Sequence, residues 1–516
     1  MNAFLDSIGY AHWILHVLVL LPLAGIPFIL LAPERAAKQI AFVVSLVEFV
    51  LSAGLWWHFD PGAGMQYASS FPWMPRWGIS YSVGLDGISL VMVLLTTMLG
   101  PLTVLGSYQY ITRRERAFYA LMLALITALV GSFIALDLFV FYVFFELMLI
   151  PMYFLIGIWG GKTRLYAAIK FFVYTFLGSL LMLVAIVVLA WKVQAATGTL
   201  SFSYDHLLGN ARAAGRAAPW LFGAFALAFA IKVPVFPFHT WLPDAHTEAP
   251  TAGSVMLASI MLKIGTYGFL RFAVPFFPSV ALSPAVTSLV VVLAVIGIIY
   301  GALLAMVQPD FKRLVAYSSV SHLGFVMLGI WGLTLQSVQG ALVVMVAHGF
   351  STGALFFLAG MMYERRHSRL IADFGGIARV APLLSLVLTL VTFSSIGLPG
   401  LNGFVGEFLV LLGTFSAHPW AVGIATAVVI FAACYLLWAI QRLIYGKLDK
   451  PENESMRDLS PRELVVLVPL VIGIVWLGLF PGPMLRRMEP AARQFLEYAQ
   501  PARARAALPA GVEVRP

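Results

Sequence analysis

The fold turns on the stretch LFGAFALAFAIKVPVFP, residues 221–237. An unbroken apolar run ends at Lys232, and two prolines, Pro234 and Pro237, follow at once. A helix that is apolar all round belongs in lipid or deep inside a bundle. The surrounding run, 219–241, is long enough for one bilayer crossing, which takes about 20 apolar residues. It places a charge and two helix breakers at depth. Proline removes an amide donor and clashes with the preceding turn. Non-helical backbone persists inside a membrane only within protein or along a hydrated cavity. This one segment therefore predicts a membrane helix that breaks beside an ionisable group.

The composition of the whole chain agrees. Of its 516 residues, 61% are hydrophobic and only 11% charged, with a mean hydropathy of +0.93. Soluble domains run near 45–50% apolar and about 25% charged, so the chain has too few charges for a water-facing surface of its size. Disorder, a secreted disulfide scaffold and a cytosolic enzyme are excluded. The single cysteine, Cys434, makes no internal disulfide and builds no thiolate metal site alone. About fourteen runs qualify as spans: 11–31, 39–57, 83–108, 117–136, 138–159, 166–191, 219–241, 251–273, 282–306, 313–333, 336–360, 382–415, 420–444 and 461–480. They lack the alternation of a β-barrel. The predicted fold is an all-α polytopic membrane protein, one transmembrane domain over residues 1–480. The first span is too long, and its start too poor in basic residues, for a cleaved signal peptide. Residues 58–80, 192–218 and 445–461 read as polar connections. Residues 481–516 read as an extracytoplasmic tail, with Ala491 to Ala507 suited to an amphipathic surface helix.

Basic residues orient the bundle. Eighteen of the 32 Lys and Arg fall in loops after odd-numbered spans, among them Arg113, Arg114, Arg116, Arg365, Arg366 and Arg369. The opposite loops hold five, Arg271 included, and the tail six. Positive charge collects in cytoplasmic loops, so both termini are expected on the periplasmic side. The net charge of +9 is then a topology signal; scattered through short loops, it makes no nucleic-acid face.

Three lysines remain: Lys170, Lys232 and Lys263 lie inside spans. Deep acids are Glu146 and Glu407, with Glu48 in the second span, and deep histidines are His322 and His348. A charge at the bilayer centre costs about 2.5–3.5 kcal/mol by insertion scales, so these groups are expected to face the interior and find partners. Each histidine alone reads best as a structural hydrogen bond. As a set, Glu146, Lys232, Lys263, His322 and His348 sit near the middle of five spans. That predicts a row parallel to the membrane and a proton or ion path. Lys170 lies nearer its span end, where snorkelling competes, and Glu48 is expected to bond across helices. Burial disfavours an ammonium and a nearby carboxylate favours it. A glutamate moving against a lysine is therefore a switch, and histidine can pass the proton on.

A second break occurs in span 12, GLPGLNGFVGE, residues 397–407. Matching interrupted spans mark the inverted repeats of transporters. Spans 7 and 12 are five apart, which predicts two inverted five-helix repeats, spans 4–8 (residues 117–273) and 9–13 (282–444). Three spans over 1–116 precede them, and a last span at 461–480 follows.

The run KVPVFPFHTWLPDAHTEAPTAGS, residues 232–254, resembles the signature of the antiporter-like membrane subunits of NADH:quinone oxidoreductase, respiratory complex I. The stretch through Lys263 and Arg271, DFKRLVAYSSVSH at 310–322 and PGLNGFVGE at 399–407 extend the likeness over nearly the whole chain. A glutamate in the broken twelfth span, Glu407, and a short tail resemble the M-type branch. The resemblance implies a proton channel in the bacterial inner membrane. Its charge pair would be Glu146 and Lys232, its central relay Lys263, its connecting groups His322 and His348, and its exit-side group Glu407. It further implies no cofactor or metal in this chain. NADH, FMN, iron–sulfur clusters and quinone would be handled by partner subunits, with the L and N antiporter-like subunits as neighbours. Three alternatives are a subunit of a multisubunit Na⁺/H⁺ antiporter, a membrane-bound hydrogenase subunit, and a purely structural anchor. The polar stretch His239 to Glu248 reads equally as a proton funnel or subunit contact, and as a helix stop followed by an N-cap from Thr247 or Thr251.

Overall fold

The computed structural model describes residues 2–506, with side chains through residue 499. Among the described residues, thirteen helices are long and apolar enough to cross a membrane. A fourteenth crossing is made in two pieces, Pro382–Ile396 and Asn402–Phe415. The chain is an all-α polytopic membrane protein, and the order of the spans matches the apolar runs throughout. We number them 1 to 14 in chain order.

Side-chain caps fix the start of several spans. Asp86 accepts from the amides of Ile88 and Ser89 (3.1 and 2.9 Å) and starts span 3 at Gly87 rather than at residue 83. Asp137 accepts from Phe139 and Val140 at the head of span 5. Thr334 and Ser337 form a capping box on span 11, and Ser460 and Glu463 form one on span 14. Such caps satisfy amides that have no partner within the helix. Glu463 also takes a two-pronged bond from Arg365, both contacts 2.8 Å, tying span 14 to the end of span 11.

The connection at 58–80 is not an irregular loop. It holds a β-hairpin, β1 (Gln66–Met74) paired antiparallel with β2 (Ile79–Leu85) across a turn at Pro75–Trp77. Asp137 also accepts from the amide of Ser80, seating the hairpin on the span 5 cap. The tail is a helix, Gly482–Ala506, as expected; residue 507 lies outside the described residues. It packs on spans 3 and 11, burying Met484, Met488, Ala492 and Phe495.

Burial sorts the spans into shells. Across their apolar windows, spans 8 and 11 are wholly buried and span 10 is 94% buried, against 28% for span 2. Outer helices show large apolar side chains such as Trp220, Leu177 and Ile430. Lipid is as apolar as leucine, so the inner helices are held by close packing and by the polar bonds they share.

Candidate functional site

The innermost spans carry three of the ionisable groups. Lys263 sits midway along span 8 (Thr251–Phe276), His322 midway along span 10 (Phe311–Gly332), and His348 midway along span 11 (Leu335–Arg366). Glu407 lies in the second half of broken span 12. These four form a chain of contacts. Lys263 Nζ donates to the carbonyl of Ala258 (2.5 Å) and lies 2.6 Å from His348 Nδ1. The rings of His348 and His322 meet edge to face, with centroids 5.7 Å apart. His322 Nδ1 lies 2.9 Å from Glu407 Oε1. A cavity of about 20 Å³ opens between His322, His348, Ser351, Ser394 and Glu407. One water needs at least about 10–15 Å³ and two or more polar partners. The buried Nε2 of His348, which has no hydrogen-bond partner among the described residues, is a suitable one.

Local backbone distortions shape the site. Span 8 is not a regular helix: Leu257–Met261 and Phe269–Ala273 are wound as π-helical turns on either side of Lys263. Such bulges free backbone groups and gather at functional sites, and here the freed carbonyl of Ala258 takes the lysine. In span 12 the first half ends at Gly397 with φ +86°, a left-handed conformation that suits glycine. Gly403, the second residue of the second half, lies so close to the carbonyl of Ser394 that a Cβ would be 2.1 Å from its oxygen. Asn402 occupies the gap. It accepts from Ser351 (3.1 Å) and from Ser394, and donates to the carbonyl of Ala347 (3.2 Å), beside His348. In span 7 the helix stops at Lys232, and the indole of Trp241 donates to the carbonyl of Ile231 (2.9 Å).

Glu146 and Lys232 are less intimate than a charge pair. They feel each other's charge, but no ion pair within 4.0 Å joins them. Lys232 Nζ has no hydrogen-bond partner among the described residues and rests over the rings of Phe145 and Phe171, 5.0 and 5.7 Å from their centroids. Lys170 does not snorkel free: its Nζ donates to Asp244 Oδ2 at 2.7 Å. Glu48 is fully buried, yet neither carboxylate oxygen has a bond across helices among the described residues. Arg271 is no loop residue. It is buried in span 8 and paired with Asp86 at the head of span 3. Lys312, also read as a loop residue, is buried and donates to the carbonyl of Ala249 (2.5 Å). The N-cap expected from Thr247 or Thr251 is not made. Thr251 is the first helical residue of span 8, and the amide of Ala252 donates instead to the hydroxyl of Tyr110 (2.8 Å).

Sequence reasoning passed over His246 as a working residue. It lies on the short helix Trp241–Glu248, fully buried and stacked on Phe356 at 4.7 Å, and neither ring nitrogen has a hydrogen-bond partner among the described residues. Its charge neighbours are Lys312, Lys263 and His348. Its position between the broken span and the central lysine was the available signal. Beyond it lies a cavity of about 540 Å³, lined by Tyr110, Gly161, Glu248, Lys312, Glu364 and Arg369 among others. It lies at the end of the bundle that carries the arginine-rich loops. At the far end of the row, Tyr435 of span 13 is within electrostatic reach of Glu407. Among the described residues no group of three or more His, Cys, Asp or Glu could hold a metal ion.

Residues 135–432 match the family profile described as NADH:quinone oxidoreductase/Mrp antiporter, transmembrane region, and residues 15–132 match that of NADH-ubiquinone oxidoreductase chain 4, amino terminus. NADH-quinone oxidoreductase subunit M of Rhodobacter capsulatus is 42% identical over 500 residues, covering 94% of this chain and 96% of that protein. The chain belongs to the M-subunit family of NADH:quinone oxidoreductase. A chain of respiratory complex I from Thermus thermophilus with bound NADH superposes on it with a TM-score of 0.85 at 34% identity, covering 94% of this chain and 99% of that one. A chain of the Mrp complex from Dietzia sp. superposes with a TM-score of 0.82 at 19% identity, covering 96% and 99%, a likeness of fold alone.

Proposed function

We propose that this chain is a proton-translocating membrane-arm subunit of NADH:quinone oxidoreductase in a bacterial inner membrane. It would work beside the L and N antiporter-like subunits, with both termini on the periplasmic side. Quinone reduction elsewhere in the complex drives it, and it holds no redox group; NADH, FMN, iron–sulfur clusters and quinone belong to its partners. The observation that carries this reading is the continuous contact chain Lys263–His348–His322–Glu407 across spans 8, 11, 10 and 12. A structural role for each group singly does not explain why all four touch.

Protons enter from the cytoplasm through the polar cavity at Glu248 and Lys312 and reach Lys263 by way of His246. Glu146 acts on Lys232 across the gap between them, and the resulting change in field at Lys263 sends its proton to His348. A water in the small cavity, together with His322, carries it to Glu407, and it leaves on the periplasmic side. Span 7 and span 12 break where Lys232 and Glu407 need room to rearrange, and the two inverted repeats, residues 117–273 and 282–444, give each half its own break. The test uses the intact complex in proteoliposomes with Glu407→Ala and Lys232→Ala. Both lower the proton-to-electron ratio. Wild-type ratios in both variants rule the relay out, and a normal assembly with normal pumping would favour the structural-anchor reading. The Na⁺/H⁺ antiporter alternative shares the fold; it predicts that sodium replaces protons in transport by the purified complex.

A further inference from the structure

Near the end of the bundle that carries the β-hairpin, spans 2, 3, 11 and 14 and the start of the tail helix do not close on one another. They leave a cavity of about 220 Å³, walled by apolar side chains including Phe49, Ala53, Leu94, Met98, Phe350 and Trp476. Apolar cavities of about 150 Å³ stay dry and take hydrocarbon when offered it. The walls of this one present no polar side chain that would order water beyond the indoles of its tryptophans.

Its shape follows from helix geometry. Span 3 begins at Gly87 and Met98 lies eleven residues on, which at about 1.5 Å per residue puts the cavity floor roughly 16 Å below the span end. That is about half of a hydrocarbon core of about 30 Å, the depth of one leaflet. Phe49, Leu94, Met98 and Phe350 are only partly buried, so the cavity opens sideways towards whatever flanks the bundle. Its upper rim carries Trp56, Trp57 and Trp476, residues that favour the headgroup level of a membrane.

The rim is also basic. Arg487 lies over the Trp56 ring at 3.9 Å and spends three donors on carbonyls, two on Trp56 and one on Pro483. A guanidinium has five N–H donors, so two are left, and Arg486 beside it is exposed with no ion pair among the described residues. Fixed and forked, Arg487 suits a phosphate.

We infer that this cavity holds one acyl chain of an anionic phospholipid, with its phosphate on Arg487 and Arg486. The lipid is a wedge between spans 2 and 3 and spans 11 and 14, in a region that the proposed proton path does not cross.

The test is photo-crosslinking in the intact complex, reconstituted with phosphatidylglycerol that carries a photoactivatable group along one acyl chain. Crosslinks should map to Phe49, Leu94, Met98 or Phe350, and Ala53→Phe, which fills the cavity, should cut them at least fivefold. Arg487→Gln should cut labelling by the anionic probe to the level given by the same chain on phosphatidylethanolamine. No crosslink at these residues in the wild type overturns the inference and means that a neighbouring subunit fills the space. Equal wild-type labelling by both headgroups overturns the assignment of an anionic lipid. If Ala53→Phe does not assemble, the wild-type crosslink map decides by itself.

Discussion

The imidazole of His348 is the link whose removal says most. It lies 2.6 Å from Lys263 Nζ on one side, and its ring centroid is 5.7 Å from that of His322 on the other. His348→Leu keeps much of the volume but offers no proton acceptor, and it shields the 20 Å³ cavity from further water. Hydrogen bonds to charged groups contribute about 1.5–3 kcal/mol. If the transfer step loses that much, proton flow through this subunit slows by about 10- to 150-fold at 1.4 kcal/mol per decade. His348→Ala removes the same group but leaves space, and water reaching that space restores part of the path. The expected order of pumping is therefore wild type, then His348→Ala, then His348→Leu. The assay is proton uptake into proteoliposomes per NADH oxidised, read by a pH-sensitive dye, beside NADH oxidation with the membrane uncoupled. Assembly is checked by native gel. Leucine and wild type pumping alike, or alanine falling below leucine, would refute the contact chain as the route.

Three further outcomes follow from the geometry. His246→Phe keeps the stack on Phe356 but removes both ring nitrogens, so it should assemble normally and slow proton uptake from the cytoplasmic side; unchanged coupled turnover would remove His246 from the route. Asp86→Ala strands the buried Arg271 and should destabilise the subunit by about 3–5 kcal/mol, seen as a lower thermal midpoint and less assembled complex, with Arg271→Met on top restoring part of the loss; an unshifted midpoint contradicts the pairing. With Cys434→Ser, a cysteine placed at Ser69 or Trp73 in the hairpin should react with a membrane-impermeant maleimide from the periplasmic side; labelling only after the cytoplasm is opened inverts the orientation.

The spans were legible because lipid fixes both the length and the apolarity of a crossing, and so were the two breaks, since Pro234 and Gly397 carry their conformational meaning with them. The hairpin was not. Its strands, Gln66–Met74 and Ile79–Leu85, mix aromatic, serine and proline residues without clean alternation and are held by caps on other spans. The π-helical turns flanking Lys263 leave no residue signature, because they arise from packing of a wholly buried helix. Arg271 and Lys312 were assigned to loops because a charge at a span end reads as its boundary; only the fold brings Asp86 and the Ala249 carbonyl to them. That Lys232, Lys263, His322, His348 and Glu407 would be buried was legible from their place in the spans. Which of them touch was not, since that depends on how each helix is rotated about its axis. For that reason the pairing of Lys263 with His348 had to be seen, while Glu146 and Lys232 stand apart.

The row from Lys263 to His322 joins three helices at mid-length, so charge passing along it travels sideways rather than from one face to the other. The transmembrane voltage, about 2.3 kcal/mol per charge for each 100 mV, does no work on such a sideways step. On the proposed route, all of that electrical work would fall on the two approaches, from the polar cavity at Lys312 inward and from Glu407 outward, and the back-pressure of an energised membrane would be felt at the doors of the subunit and not along its corridor.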